Sequence, residues 1–270
     1  MEMRTALLTL GMLAAAAASA DVQVLQTTDG IRFGIVGSKP ANPGPTVFLF
    51  ANSLEETLQN SDYNEIGRRL ASKGFLQVSM DLPSHGADQP PNEKNSLKHW
   101  RDRLERGDDF VPPFLARASS VLRYLIDQGY TDPQRVAVCG TSRGGFIALH
   151  FAAVEPRVRA VAAFAPVTDL TALTEFAGME SHARTRALAL VQVADRLADR
   201  AVWITIGSTD HRVGTEHAIA FLQRVVEASE ARGRRPQIQL HIMPTEGHRI
   251  HPTSHEEAAS WMLRQMGFNQ

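Results

Sequence analysis

Three side chains in this 270-residue chain could do chemistry together, because each follows an apolar run of strand character. Ser142 lies in Gly140-Thr141-Ser142-Arg143-Gly144, after "RVAVC" and before an apolar run of helical character. Asp210 follows "AVWITIG" in "STDHRVG", and His248 follows "IQLHIMP" in "TEGHRIHP". A serine hydroxyl is a poor nucleophile until a base takes its proton, and an imidazole serves as that base when an acid orients it. The chain order serine, acid, histidine is the one expected when the nucleophile sits on a sharp strand-to-helix turn. Glycines at 140 and 144 let the turn close without Cβ clashes. The helix that follows aims its N-terminus, and the Arg143 amide, at developing negative charge. Acyl transfer is the chemistry this set predicts.

Other residues compete for these roles. The chain has 10 histidines, and most must be ordinary. His251 and His255 lie near or in the terminal helix, His211 and His217 sit beside the acid rather than after it, and His241 falls within a strand. Asp169, in "FAPVTDL", also follows a strand and is the rival acid; its other reading is a helix cap. Asp81, in "MDLPSHG", precedes the serine and is expected to anchor its loop. The tetrahedral intermediate needs two donors for its oxyanion. One is the Arg143 amide; the other is expected from "ANSLEETL", with the Ser53 amide preferred and Leu54 next. The Arg143 side chain has two readings: it binds a carboxylate-bearing substrate, or it pairs with an acidic neighbour such as Glu175 or Asp195. Trp203 reads as core packing, and Trp100 as either a helix anchor or a pocket wall.

The elements that must position these residues alternate along the chain. Asp29-Gly30 separates "VQVLQTT" from "IRFGIVG" and predicts an N-terminal hairpin. Strands are expected at "TVFLF" (46–50), "FLQVSMDLP" (75–83), "RVAVCG", "VRAVAAFAP" (158–166), "AVWITIG" (201–207) and "IQLHIM" (238–243). Helices are expected at "YNEIGRRLAS", at "FLARASSVLRYLIDQG", after Ser142, and at about 215–231 and 255–266. Ser254 and Glu257 form a capping-box pattern before the last of these. Buried strands alternating with amphipathic helices mean an α/β fold, a mostly parallel, doubly wound sheet covered on both faces. Such a sheet places chemistry at the carboxyl ends of its strands. Residues 171–200 exceed a simple crossover and read as two short helices, "ALTEFAG" and "HARTRALALVQVADRLA", forming either a small cap or an extended crossover.

Bulk properties narrow the partners. A hydrophobic fraction of 43% and a charged fraction of 21% are those of an ordinary globular protein. A formal charge of -1 carries no footprint for nucleic acid or an anionic membrane, so a small molecule is the expected partner. "MEMRTALLTLGMLAAAAASA" has an arginine near its start, an apolar middle and Ala18-Ser19-Ala20 at its end, the layout of a signal peptide over residues 1–20. Cleavage after Ala20 would release a single domain, residues 21–270, to the periplasm or medium. No later stretch is apolar enough to span a bilayer. The lone Cys139 permits no internal disulfide. Oligomeric state carries no sequence signal.

Four motifs in order, "ANS" after an early strand, "DLPSHG", "CGTSRGG" and "GSTDHRVG…EGH", resemble those of the α/β-hydrolase superfamily across nearly all of residues 21–270. Within it, the Ser-Arg-Gly-Gly turn and "GSTDHRV" are similar to prolyl-oligopeptidase-like and dienelactone-hydrolase-like serine esterases, with a serine where dienelactone hydrolases carry cysteine. The resemblance implies Ser142 as nucleophile, His248 as base and Asp210 as orienting acid, with His85-Gly86 structural or pocket-lining. The expected function is hydrolysis of a small acyl ester through an acyl-enzyme, with no cofactor or metal. A peptidase or amidase using the same residues is the alternative within enzymes. A binding protein that kept the fold without the chemistry is the alternative outside them. A structural envelope protein would call for aromatic or repeat signals, and at 7% aromatic residues without repeats the chain carries neither.

Overall fold

A computed structural model describes residues 21–91 and 96–268; the expected leader over 1–20 lies outside the described residues. The strands are β1 (Gln23–Gln26), β2 (Arg32–Val36), β3 (Gly44–Phe50), β4 (Leu76–Ser79), β5 (Thr131–Thr141), β6 (Val158–Phe164), β7 (Ala201–Thr209) and β8 (Gln237–Glu246). They form one sheet in the order β1-β2-β4-β3-β5-β6-β7-β8. Only β2 runs against its neighbours β1 and β4; every pairing from β4 through β8 is parallel. The hairpin predicted at Asp29-Gly30 is β1–β2, with Gly30 at a φ of 81° that suits a residue without Cβ.

The continuous apolar runs of the central strands follow from cover on both faces. Phe48 and Phe50 of β3, with Val136 and Val138 of β5, enter one core layer. Val47 and Leu49, with Ala137 and Cys139, enter the other, as a period of two requires. The first layer is closed by α3 (Ser96–Glu105), α4 (Val111–Asp127), α5 (Arg143–Val154) and α7 (Thr215–Ala231). The second is closed chiefly by α2 (Ser61–Ala71) and α8 (Ser254–Gln265), while α1 (Leu54–Gln59) follows β3 directly. This is the α/β-hydrolase fold. From β3 the chain moves outward to β4, then returns across β3 to β5 and continues the other way. The order reverses between β3 and β5, and the turn bearing Ser142 emerges at their carboxyl ends, where doubly wound sheets place their ligands.

Two local expectations need correction. Residues 171–200 do not form two helices. They make turns of three-residue period at Leu170–Ala172, Thr174–Phe176, Leu190–Gln192 and Ala194–Leu197, with only α6 (Ala183–Ala187) as α-helix. The reason is visible in the spacing. Leu170, Leu173, Phe176 and Met179 recur every third residue, and all four are buried, which a 3₁₀ repeat satisfies and an α-helix does not. The expected capping box also does not form. Thr253 precedes α8, its hydroxyl donates to Glu257 Oε1 at 2.7 Å, and Ser254 turns inward to Thr205 Oγ1 at 3.1 Å. Trp100 anchors α3 in the core, fully buried, its indole N–H donating to the Pro83 carbonyl at 2.7 Å. Trp203 is likewise buried in β7. Among the described residues no helix is long and apolar enough to cross a membrane.

Candidate active site

The site begins with a strained serine. Ser142 has φ 53° and ψ -116°, a conformation that non-glycine residues rarely adopt and that surrounding structure must enforce. Its amide donates to the Phe164 carbonyl at 2.9 Å, and its own carbonyl accepts from Phe146 and Val167 at 3.2 and 3.1 Å. The flanking glycines are sterically required. A Cβ on Gly140 would stand 2.2 Å from the Gly144 carbonyl oxygen, and one on Gly144 would stand 1.9 Å from the Phe50 carbonyl oxygen. The turn is therefore pressed against the end of β3, with the hydroxyl left half-exposed above the sheet.

Asp210 and His248 arrive from the next two strand ends. Asp210 follows β7 and is fully buried, with Oδ1 accepting from the Arg212 and Val213 amides at 3.0 and 3.3 Å. Its Oδ2 faces His248 Nδ1 at 2.8 Å. A carboxylate accepts only, so Nδ1 carries the proton and Nε2 is left with its lone pair. That Nε2 lies 3.0 Å from Ser142 Oγ. The loop holding His248 is tied to β7 through Thr209, whose hydroxyl donates to the Thr245 carbonyl at 3.2 Å. The three residues singled out in the sequence thus form one hydrogen-bonded line. Asp169 stays outside it, its Oδ1 accepting from the Thr171 amide and hydroxyl at 2.9 and 2.7 Å as a turn cap.

The donors around this line are partly committed. Asp81 Oδ1 accepts from the Leu54 amide at 2.9 Å, and the Asn52 amide donates to Thr57 Oγ1 at 3.0 Å. That removes Leu54 as an oxyanion donor. The Ser53 and Arg143 amides have no acceptor among the described residues. Both stand at helix N-termini, Ser53 capping α1 and Arg143 opening α5. Asp81 anchors its loop as expected, its Oδ2 also holding Arg32 Nη1 at 2.9 Å.

The Arg143 side chain pairs with neither Glu175 nor Asp195. Its Nη1 donates to Ser96 Oγ at 2.6 Å and lies 3.1 Å from His85 Nε2. Ser96 Oγ is 2.9 Å from the same nitrogen, and His85 Nδ1 donates to the Pro83 carbonyl at 2.9 Å. Burial, reinforced by Arg143 and opposed by the Pro83 hydrogen bond, lowers the His85 pKa to about 4, so the ring is neutral and accepts at Nε2. Glu175 belongs instead to Arg212, held by two contacts of 2.7 Å that bring its pKa down to about 2. Neither Ser96 nor the Glu175–Arg212 pair was singled out in the sequence, because 47 and 37 residues separate the partners and no spacing rule links them.

The sequence profile of the prolyl oligopeptidase family matches residues 118–269, which contain Ser142, Asp210 and His248. Esterase FrsA of Yersinia pestis (strain Pestoides F) is 36% identical over 134 residues, 49% of this chain and 27% of that protein, so the match spans about a quarter of the relative's length. Acetyl xylan esterase 1 from Thermoanaerobacterium sp. JW/SL YS485 superposes with a TM-score of 0.61 at 18% identity, covering 93% of this chain and 86% of that one. Porphyromonas gingivalis dipeptidyl peptidase 4 does so at 0.64 and 16% identity, over 91% of this chain and 35% of that one. At such identities the two structures speak to the fold alone.

Proposed function

Since this chain belongs to the prolyl oligopeptidase family and is a serine hydrolase, we propose that it cleaves carboxylic esters through Ser142, His248 and Asp210. The observation that carries the reading is the line Asp210–His248–Ser142, with contacts of 2.8 and 3.0 Å. His248 Nε2 takes the hydroxyl proton as Ser142 Oγ bonds to the ester carbonyl carbon. Asp210 keeps the ring oriented and stabilises the imidazolium that forms. The oxyanion is received by the Ser53 and Arg143 amides, two donors left unspent by the fold. The carbon–oxygen bond to the alcohol then breaks, and the alcohol leaves with the proton from His248. Water repeats the sequence on the acyl-enzyme, releasing the acid and returning the proton to Ser142. The esterase name borne by FrsA favours an ester over an amide.

The test is labelling of purified protein by a fluorophosphonate, beside Ser142→Ala, followed by matched ester and anilide substrates. Labelling of the wild type alone, with the ester cleaved faster than the anilide, is the expected outcome. An anilide cleaved as fast as its ester moves the reading to a peptidase. A folded wild type that takes no label removes the catalytic assignment and leaves a binding protein. Export is proposed from the charged start, apolar middle and Ala18-Ser19-Ala20 of the first 20 residues; a secreted product beginning at Asp21 is expected on N-terminal sequencing.

A further inference from the structure

Arg143 carries a charge for which the described residues supply no counter-ion. Its guanidinium forms no ion pair among them, and its contacts are the uncharged Ser96 and the neutral His85 ring. Nη1 is engaged, whereas Nε and Nη2 have no acceptor among the described residues, and the side chain is only partly buried. Burial lowers the pKa of the group without bringing it near neutrality, because a guanidinium keeps its proton in proteins. No nearby acid contacts it. Glu175 is held bidentately by Arg212, and Glu56 accepts from the neutral Asn52 side-chain amide at 2.8 Å; with Tyr63, both act on Arg143 only through space. A half-buried fork with spare donors, one residue from the nucleophile, suits a carboxylate.

Sheet order says which part of the substrate would bring that carboxylate. Ser142 stands at the end of β5. His248 and Asp210 come from β8 and β7 on one side, whereas Arg143 reaches His85 and Ser96, which follow β4 on the other. His248 must protonate the departing alcohol, so the leaving group lies toward β7 and β8. The acyl group then extends toward β4 and the arginine.

We propose that the Arg143 side chain is an acyl-side anion subsite, and that the enzyme's substrates are esters whose acyl group bears a free carboxylate, such as hemiesters of short dicarboxylic acids. This rests on the ester-hydrolase reading above and names its substrate class. Hydrolysis of such a hemiester adds water across one ester bond and yields an alcohol and a dicarboxylate.

The test compares monomethyl glutarate with dimethyl glutarate, followed by proton release, in the wild type, Arg143→Gln and Arg143→Lys. The wild type is expected to favour the hemiester in kcat/KM by about 10- to 100-fold, the worth of a charge-assisted hydrogen bond or two. Arg143→Gln should erase that ratio and Arg143→Lys should keep part of it. Because Arg143 also braces Ser96 and His85, a second measurement uses the wild type alone: free glutarate should slow labelling of Ser142 by a neutral fluorophosphonate, whereas butyramide should not. Equal rates on the two esters, with no protection by glutarate, would overturn the subsite and leave ester hydrolysis standing. A preference for O-acetylglycolate over its methyl ester, without one for monomethyl glutarate, would overturn the acyl-side placement. Absence of both labelling and hydrolysis would remove the ester-hydrolase reading itself, and the subsite with it.

Discussion

At the scale of single residues, the site depends on which proton each group holds. Asp210 is fully buried, takes two backbone amides on one oxygen and presents the other to His248 Nδ1. Replacing it with asparagine keeps the size but offers an amide where the imidazole needs an acceptor, which favours the tautomer with its proton on Nε2. Asp210→Asn is therefore expected to lower kcat on the order of 10⁴-fold, with KM little changed, as steady-state kinetics on a cleaved ester would read. A loss below tenfold would remove Asp210 from its orienting role. Among the other acids that follow strands, Asp169 caps a turn and Asp81 ties a loop, so similar sequence positions carry different work.

At the scale of elements, the turn between β5 and α5 and the end of β3 are built as one piece. The Gly144 backbone lies so close to Phe50 that no side chain fits, and this contact brings the Ser142 turn beside the loop holding Ser53. Gly144→Ala would place its Cβ 1.9 Å from the Phe50 carbonyl oxygen. Backbone cannot swing aside as a flexible side chain can, so β3 and the turn must separate. A loss of about 1–3 kcal/mol is expected in urea unfolding, together with loss of fluorophosphonate labelling, because the two amide donors move apart. A variant with full stability and labelling would mean that Ser53 does not share the oxyanion.

At the scale of the whole molecule, three buried histidines outside the Asp210–His248–Ser142 line couple the fold to acid. Burial is the main cause in each case and brings His85, His150 and His255 down to about 4. His150 Nε2 donates to the Leu188 carbonyl at 3.0 Å, and His255 stacks on Phe164 with ring centroids 4.4 Å apart. Unfolded, each would take a proton near pH 6.5, so between about 4 and 6.5 the unfolded chain binds more protons. Stability is therefore full above about pH 6.5 and falls as pH drops toward 4, each histidine contributing at most about 1.4 kcal/mol per pH unit. His255→Phe keeps a ring against Phe164 and is expected to flatten this slope by about one proton in urea titrations at pH 4.5 to 7.5. An unchanged slope would mean that His255 titrates alike in both states.

Much of this protein follows from local order along the chain. Periodicity and turn residues yield the alternation of strands and helices, since apolar spacing is a property of neighbours in sequence. Ser142, Asp210 and His248 could each be picked out because each follows a strand, and a parallel sheet delivers every such end to one edge. What the sequence leaves open involves partners far apart in it. The three-residue period of Leu170, Leu173, Phe176 and Met179 was present in the sequence, yet helical composition over 171–200 masked it until packing showed which residues are buried. The sequence prefers the Ser53 amide but leaves Leu54 next to it as a candidate; the approach of Asp81, 27 residues on, occupies the Leu54 amide and leaves that of Ser53. Likewise the sequence offers Arg143 two acidic neighbours, and the fold assigns one of them, Glu175, to Arg212. Hydrogen bonds act over a few ångströms, so which donor is spent and which charge stays unpaired is decided only when the sheet brings distant segments together.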